Sequence, residues 1–342
     1  MAKNSTVTIR DVARRAGVSI ATVSYVLNAN APISEATRAR VLAAAAELGY
    51  RPSAIARSLR AQESRIIGYS WHHSPLDRWH PILDPFLYSI AQAAEARGYH
   101  ILTFTQPVDD ACRLPYQELM LTGQVDGFIL SETNRDDPRI RYLLDRDFPF
   151  VAFGRANEDW DFPYVDVDNT AGIRMAVEHL IEGGHRRIAV LAWPEDSLTG
   201  QYRLQGYMEA MDDARLPVAP EWVIRTENDE AAGREAIHAL LNLPPDRRPT
   251  AVVTMSDLMA IGAMNALHAV GLMPGRDIAV VGYDDVPMAQ YLHPPLTTVR
   301  QPIAEVGERV VHMLLALIRG EPLPERRVIL SPRLIVRQSS GV

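Results

Sequence analysis

Residues 8–28 read TIRDVARRAGVSIATVSYVLN. Ile9, Val12, Ala13 and Ala16 recur at helical spacing, so the first half is an amphipathic helix. Thr8 stands where an N-cap belongs, with Asp11 three residues on, close to a capping box. Gly17 ends the helix, as a residue tolerant of positive φ does after a last turn. Val18 plugs the space between two helices, and Ser19 caps a second one over 20–28. That helix turns Val23, Val26 and Leu27 inward. Ile20, Ala21, Tyr25 and Asn28 face outward, flanked by Thr22 and Ser24. Ser34-Glu35-Ala36-Thr37 opens a third helix reaching about residue 48, with Val41, Leu42 and Leu48 expected inside. Two short helices joined by a glycine turn and braced by a third make a helix-turn-helix. Its second helix, small and polar outside, fits a major groove. Tyr25 and Thr22 offer hydroxyls there, and Ala21 and Ile20 apolar contact with a thymine methyl. Ser19, Ser34, Thr37 and Arg38 sit at helix starts, which suit phosphate oxygens. A three-helix bundle that binds protein shares the pattern, and the pattern alone favours DNA.

Charge supports the same reading. Residues 1–65 hold ten Lys/Arg and four Asp/Glu, a net of +6, whereas the whole chain carries −7, so residues 66–342 carry −13. A positive head on a negative body is the footprint of a polyanion-binding module joined to something with a different partner. A basic, solvated tail is the plainer alternative. The 342 residues suit one small domain plus one or two larger ones, and 47% hydrophobic with 23% charged residues is ordinary globular composition. No apolar run approaches the roughly 18 residues of a membrane span, and the N-terminal stretch is too polar for a secretory signal. The single cysteine, Cys112, makes no internal disulfide, so a cytoplasmic location is expected and no membrane partner.

Residues 50–60, YRPSAIARSLR, follow the third helix. Pro52 is at a natural helix start, but about eight residues are too few for a stable isolated helix. Read alone the segment is a plain interdomain linker. The other reading is a hinge that folds on docking to a partner copy and to DNA. Leu59 would then wedge between base steps from the minor groove, with Arg57 and Arg60 on phosphates or in the groove.

TIRDVARRAGVSIATVSYVLN, then SEATRARV, then LGYRPSAIARSL, resembles the lactose-repressor (LacI/GalR) family almost position by position, and the likeness runs through essentially all 342 residues. The resemblance implies a DNA-binding head over 1–50, a hinge helix over 51–62 rather than a linker, and an effector-binding, dimerising core over 63–342. It places Ile20, Ala21 and Tyr25 at base-reading positions and makes Leu59 the minor-groove wedge. The DNA-facing set then comprises Thr8, Ser19, Ile20, Ala21, Thr22, Tyr25, Asn28, Ser34, Thr37, Arg38, Tyr50, Ser53, Ala56, Arg57, Leu59 and Arg60. Several members carry Arg or His where this chain has Tyr25, so the half-site sequence does not carry over. The implied partners are double-stranded operator DNA, a small effector and a second copy of the chain in a homodimer.

Beyond residue 65, short apolar runs alternate with helical stretches. Runs at 66–69, 100–104, 127–130 and 150–153, then 187–191, 251–254 and 278–282, read as buried parallel strands. Helices over 84–97, 171–182, 204–211 and 258–270 lie between them. The pattern is α/β, with doubly wound parallel sheets, and about 280 residues of it suit two lobes. The resemblance adds a periplasmic-binding-protein-like body with crossovers near Tyr164, Pro294 and Pro322. Lobe 1 is then about 63–163 and 294–322, and lobe 2 about 164–293 and 323–342.

Ligands of such folds bind outside the carboxyl ends of the strands. Trp71, Ser131, Arg155, Trp193, Asp257 and Asp284 follow strands in that way. Carboxylates and guanidinium groups grip vicinal hydroxyls, and an aromatic face covers a sugar ring, so a carbohydrate suits this set better than a purine. Each has a plainer role: Trp at a strand end is commonly core, Asp257 caps the helix from Leu258, and Asp284-Asp285 are turn residues. By resemblance, Arg203 in RLQGY, Asp257 in SDLMA and Asp284 in VGYDD match effector-contact motifs, and His80 lies where many sugar-responsive members carry Asn-Pro-aromatic. Trp79 and Trp160 suit a di- or oligosaccharide. No Gly-rich phosphate loop and no Gly-x-Ser-x-Gly occurs, Cys112 lacks a catalytic context, and His72, His73 and His80 lack the spacing of a metal site. No cofactor, no metal and no enzyme activity are expected. The sum is a transcriptional regulator, in all a repressor, answering to an effector between two lobes.

Overall fold

The computed structural model describes residues 7–28, 33–50, 63–72, 81–107 and 110–341. Two compact units emerge, Met1–Ser64 and Arg65–Val342. The hinge positions Ser53, Ala56, Arg57, Leu59 and Arg60, and His73, Trp79 and His80 of the body, lie outside the described residues.

In the first unit, α1 (Ile9–Ala16), α2 (Ile20–Asn28) and α3 (Glu35–Glu47) form the expected trio. Asp11 accepts from the Thr8 N–H at 3.0 Å and the Thr8 hydroxyl at 2.7 Å, fixing the first turn of α1. Gly17 takes φ 64° and ψ 38°, the left-handed conformation that lets the chain leave α1 and enter α2 within three residues. Val12, Ala13, Ala16, Val23, Val26, Val41, Ala44 and Ala45 make a small closed core. Leu42, expected inside, is 49% exposed, because α3 directs Val41, Ala44 and Ala45 inward and the neighbouring position turns outward. Arg15 on α1 reaches Glu47 on α3 at 2.7 Å.

The second unit holds two six-stranded sheets. The first has the order β11-β5-β4-β3-β1-β2, from β1 (Ile66–His72), β2 (His100–Gln106), β3 (Gly127–Leu130), β4 (Phe150–Phe153), β5 (Tyr164–Val167) and β11 (Arg327–Leu330). The second has the order β12-β10-β9-β8-β6-β7, from β6 (Ile188–Ala192), β7 (Val223–Arg225), β8 (Ala251–Thr254), β9 (Ala279–Asp284), β10 (Thr297–Arg300) and β12 (Arg333–Ile335). All pairings are parallel except β10 with β12. Helices α4 (Leu83–Glu95), α5 (Leu114–Leu121), α6 (Pro138–Leu144) and α11 (Ile303–Ile318) go with the first sheet. Helices α7 (Asn169–Glu182), α8 (Leu198–Asp213), α9 (Glu230–Leu241) and α10 (Asp257–Ala269) go with the second. Strands β3, β6 and β8 are buried throughout, as expected of strands covered on both faces.

The chain passes between lobes after β5, after β10 and after β11. These crossovers lie a few residues beyond Tyr164, Pro294 and Pro322. Tyr164 opens β5, whose ladder to β4 and β11 keeps it in lobe 1, and β10 pairs β9, which keeps it in lobe 2. The helix expected over 204–211 starts earlier, because the Ser197 hydroxyl caps it by accepting from the Gly200 N–H at 3.1 Å.

Candidate functional site

A cavity of about 460 Å3 opens between the lobes at the carboxyl ends of both sheets. Ser131 and Asn134 follow β3, Asp166 lies near the end of β5 and Asn169 opens α7. Trp193 follows β6, Arg203 lies one turn into α8, and Asp284 ends β9. Doubly wound sheets present their ligands with this same set of positions.

Arg203 is the centre of the lobe 2 wall and only 3% exposed. Its Nε donates to the Asn169 Oδ1 at 2.8 Å, and one terminal nitrogen donates to the Met255 carbonyl. The guanidinium lies 3.6 Å from the Tyr283 ring centre and 4.6 Å from that of Trp193, held between two aromatic faces. The Trp193 indole N–H is buried and has no hydrogen-bond partner among the described residues.

Asp284 faces the cavity and takes φ 125°, followed by Asp285 at φ 53°, two non-glycine residues in sparsely populated backbone regions. Asp285 is tied down by Arg300 at 2.6 Å and Arg337 at 2.7 Å, which holds the strained turn in place. Gln301 donates to Asp284 at 2.8 Å. Burial pushes the Asp284 carboxyl up to about 6, against the opposing pull of Arg203 and Gln301.

Asp257 does not reach the cavity. Fully buried, it accepts from the Thr298 hydroxyl at 2.5 Å and the Val286 N–H at 2.8 Å, so it braces the turn behind Asp284. Burial, with the Asp284 charge added, drives its carboxyl well up. Nor is Asp257 the cap of α10: the Ser256 hydroxyl accepts from the Met259 N–H at 3.3 Å. Arg155 also lies off the cavity lining. It pairs with Asp166 at 2.6 Å and stacks 3.8 Å over the Tyr202 ring of lobe 2, so it acts on the cleft through Asp166. Burial raises the Asp166 carboxyl, with Arg155 opposing.

Ser131 is 2% exposed, and its hydroxyl lies 3.0 Å from that of Tyr69. The loop after it is shaped by Arg139, which pairs with Asp137 at 2.7 Å and donates to the Ser131 carbonyl at 3.0 Å. Asn134 bridges the lobes: its amide donates to the Asp196 carbonyl at 2.7 Å and accepts from the Leu198 N–H at 3.0 Å. Trp71 belongs to β1, and Trp160 lies under Arg141 at 5.4 Å on another face of lobe 1, away from the cleft.

Sequence reasoning passes over Asn134, Asp166, Asn169 and Gln301. The signal for Asp166 and Asn169 is the polar run VDVDN, which becomes informative once 164–167 is known to be a strand. Asn134 and Gln301 sit in loops with no local signature.

In the head, Ile20 and Tyr25 are 44% and 48% exposed, and Ala21 is exposed beside them. This outer face of α2 carries two large side chains that the core does not use. The Ser19 hydroxyl accepts from the Thr22 N–H at 3.0 Å, and Ser34 accepts from the Thr37 N–H at 3.4 Å, so both act as caps. Arg38 is half-buried at the start of α3, Tyr50 follows that helix, and Asn28 ends α2. Among the described residues, no group of three or more His, Cys, Asp or Glu is placed to hold a metal, and no helix is long and apolar enough to cross a membrane.

Residues 8–53 match the model of bacterial regulatory proteins of the lacI family, and residues 177–340 match a periplasmic binding protein-like domain. The HTH-type transcriptional repressor PurR of Proteus mirabilis is 34% identical over 334 residues, covering 97% of this chain and 96% of its own length. The ribose operon repressor of Escherichia coli K12 is 35% identical over 335 residues, covering 97% of this chain and 99% of its own. Among solved structures, the lac repressor dimer bound to operator and the anti-inducer ONPF is 30% identical, with a TM-score of 0.86, over 99% of this chain and 100% of that one. The transcriptional regulator CelR in complex with cellobiose is 33% identical, with a TM-score of 0.75, over 97% and 99%. The chain therefore belongs to the lacI family of bacterial regulatory proteins, and it is a DNA-binding transcriptional repressor rather than an enzyme.

Proposed function

We propose that a carbohydrate held in the interlobe cleft sets the operator affinity of this repressor, which acts as a homodimer. The observation that carries the reading is that Arg203, stacked against Trp193 and Tyr283, and the Asp284 carboxylate line one cavity of about 460 Å3. Donor and acceptor there line one cavity together with an indole, which suits vicinal hydroxyls and the apolar side of a sugar ring. The volume falls within the roughly 300–1,000 Å3 of small-molecule sites. The likeness to a cellobiose complex and to a ribose operon repressor supports a sugar, and both mono- and disaccharides suit the space.

Ile20, Ala21 and Tyr25 read base edges from the exposed face of α2, with Thr22 and Asn28 beside them. Thr8, Ser19, Ser34, Thr37, Arg38 and Tyr50 position the head on phosphates. Residues 51–62 form the hinge, where Ser53, Ala56, Arg57 and Arg60 follow the backbone and Leu59 wedges the minor groove. Two copies read a near-palindromic operator, as a two-fold dimer meets a two-fold site. Because Asn134 and Arg155 join the lobes, an effector that prefers one lobe arrangement changes the spacing of the paired hinges.

A thermal-shift screen of the full chain against mono- and disaccharides, purine bases and amino acids tests the effector class. A saccharide hit that also changes operator affinity is expected. Hits confined to purines or amino acids overturn the carbohydrate reading.

A further inference from the structure

At the rim of the cavity, lobe 1 touches the first two turns of α8. The touching surface comes from two loops, 131–137 after β3 and 154–157 after β4. These loops are tied to each other before they meet lobe 2. The Thr133 hydroxyl donates to the Arg155 carbonyl at 2.8 Å. Asp136 and Asn157 exchange two hydrogen bonds, at 2.6 and 2.8 Å. Gly154 admits the junction, because a Cβ there would strike the Thr133 hydroxyl. Behind them, buried Arg139 holds the carbonyls of Ser131 and Glu132. Two loops cross-linked in this way form one stiff pad.

Three groups of the pad grip α8. The Asn134 amide spans the helix start, donating to the Asp196 carbonyl at 2.7 Å and accepting from the Leu198 N–H at 3.0 Å. Leu198 is a first-turn donor that the helix itself cannot satisfy, so lobe 1 supplies what a cap would. Arg135 donates to the Gln201 side-chain oxygen at 3.1 Å, and the Arg155 guanidinium lies 3.8 Å from the Tyr202 ring centre. Positions 198, 201 and 202 share one helix face, so the pad meets a single surface.

Asn134 and Asp196 border the cavity as well. So does Asp166, which holds Arg155 at 2.6 Å. A molecule in the cleft therefore reaches the contact from two sides, at the Asn134 amide and through Asp166 at Arg155. We propose that the pad and α8 form a clasp that sets the resting lobe arrangement of the repressor, with Asn134 and Arg155 as the positioning residues through which an occupied cleft changes it. Every contact in the clasp is made by the chain's own groups, so the lobes are biased toward one arrangement by the protein itself. An effector then works against or with that bias, according to its differential affinity for the two arrangements. The clasp does not depend on the effector being a sugar.

The test measures an interlobe distance by pulsed electron resonance in the full-length chain. Nitroxides are attached through Glu118→Cys in lobe 1 and Met208→Cys in lobe 2, both exposed, in a Cys112→Ala background. Labelled chain is diluted into unlabelled chain, so each distance comes from one protomer. Asn134→Ala/Tyr202→Leu removes two of the three contacts and leaves the Arg155–Asp166 pair in place. A longer distance population is expected to grow, with the open-to-closed ratio up at least about tenfold, the effect of two hydrogen bonds and a cation–π contact together. Asn134→Ala alone shifts it less in the same direction, and Asn134→Asp, which keeps the acceptor for Leu198, recovers part of the closed population. Arg174→Ala, which breaks ion pairs inside lobe 2 only, leaves the distances unchanged. An operator duplex selected from a random pool on the wild-type chain then reads the coupling. With no sugar present, the double variant binds it several-fold more or less tightly, and the direction shows which arrangement DNA selects. Distances unchanged in the double variant, or shifted equally by Arg174→Ala, overturn the clasp. Shifted distances with unchanged operator affinity overturn its part in regulation. Neither readout involves a sugar, so failure here leaves the carbohydrate reading where it stands.

Discussion

The two lobes share a strand order and differ in what fills them. All seven phenylalanines of the chain lie in lobe 1. Phe128 sits 4.8 Å from the Tyr116 ring, 5.4 Å from Phe148 and 6.1 Å from Phe104, the hub of an aromatic cluster on one face of the sheet. Lobe 2 has no phenylalanine, and its helices meet backbone to backbone. A Cβ on Gly206 of α8 would strike the Thr170 carbonyl of α7, and one on Gly262 of α10 the Glu230 carbonyl of α9. Buried charge divides the same way. Lobe 1 pairs its charges, Arg139 with Asp137 and Arg155 with Asp166, whereas lobe 2, beside its Arg337–Asp285 pair, puts two further carboxylates, Asp257 and Asp284, side by side. One topology therefore tolerates two solutions to filling its interior, and the lobe with the closer backbones sets two buried carboxylates together, one of which, Asp284, lines the cavity with Arg203.

The contrast can be broken most strongly at Phe128. Phe128→Ala is expected to destabilise the body by about 3–5 kcal/mol, measured by denaturant unfolding. A loss below about 1 kcal/mol would show that the aromatic cluster does not organise lobe 1. Gly262→Ala comes next, at about 1–3 kcal/mol, because the atom in the way is backbone. A neutral effect would mean that α9 and α10 slide apart freely.

Asp284→Asn is the smallest and sharpens the electrostatic half. The native carboxyl is raised to about 6 from its ordinary 3.8, so the folded state holds the proton more tightly than the unfolded. Stability from that group is complete below about pH 4 and is lost as pH rises through about 6. The variant lacks this loss and retains the acceptor for Gln301. It is expected to be more stable than wild type by about 1–2 kcal/mol at pH 7, with the gap closing below pH 4, while effector binding fails. A variant less stable than wild type at pH 7 would show that Arg203 outweighs the burial of Asp284.

Much of this was legible in residue order. Helical spacing and Gly17 define the head, and apolar runs of four or five residues define the central strands of both sheets. Arg203, Asp284, Trp193 and Ser131 all border the cavity from positions just beyond strands or inside a helix motif. Asp257 follows its strand as Asp284 does, yet it faces Thr298 and Val286 instead, partners far along the chain that no local pattern specifies. Arg155 is displaced for the same reason, by Asp166 and Tyr202. The shifted crossovers reflect short strands such as β5, whose membership in a sheet is decided by its neighbours rather than by its own four residues.

The three crossovers bear on how the protein is made. The edge strand of lobe 1, β11 at Arg327–Leu330, pairs β5, more than 150 residues earlier, and the edge strand of lobe 2, β12 at Arg333–Ile335, follows directly. On the ribosome, at roughly 5–20 residues per second, the head has all its residues within the first seconds of synthesis. Neither lobe can close its sheet until nearly the whole chain has emerged. A nascent chain thus carries a folded DNA-reading head on a body still waiting for its last strands. A chain terminated before residue 327 would keep the head and lose the outer strand of both sheets at once.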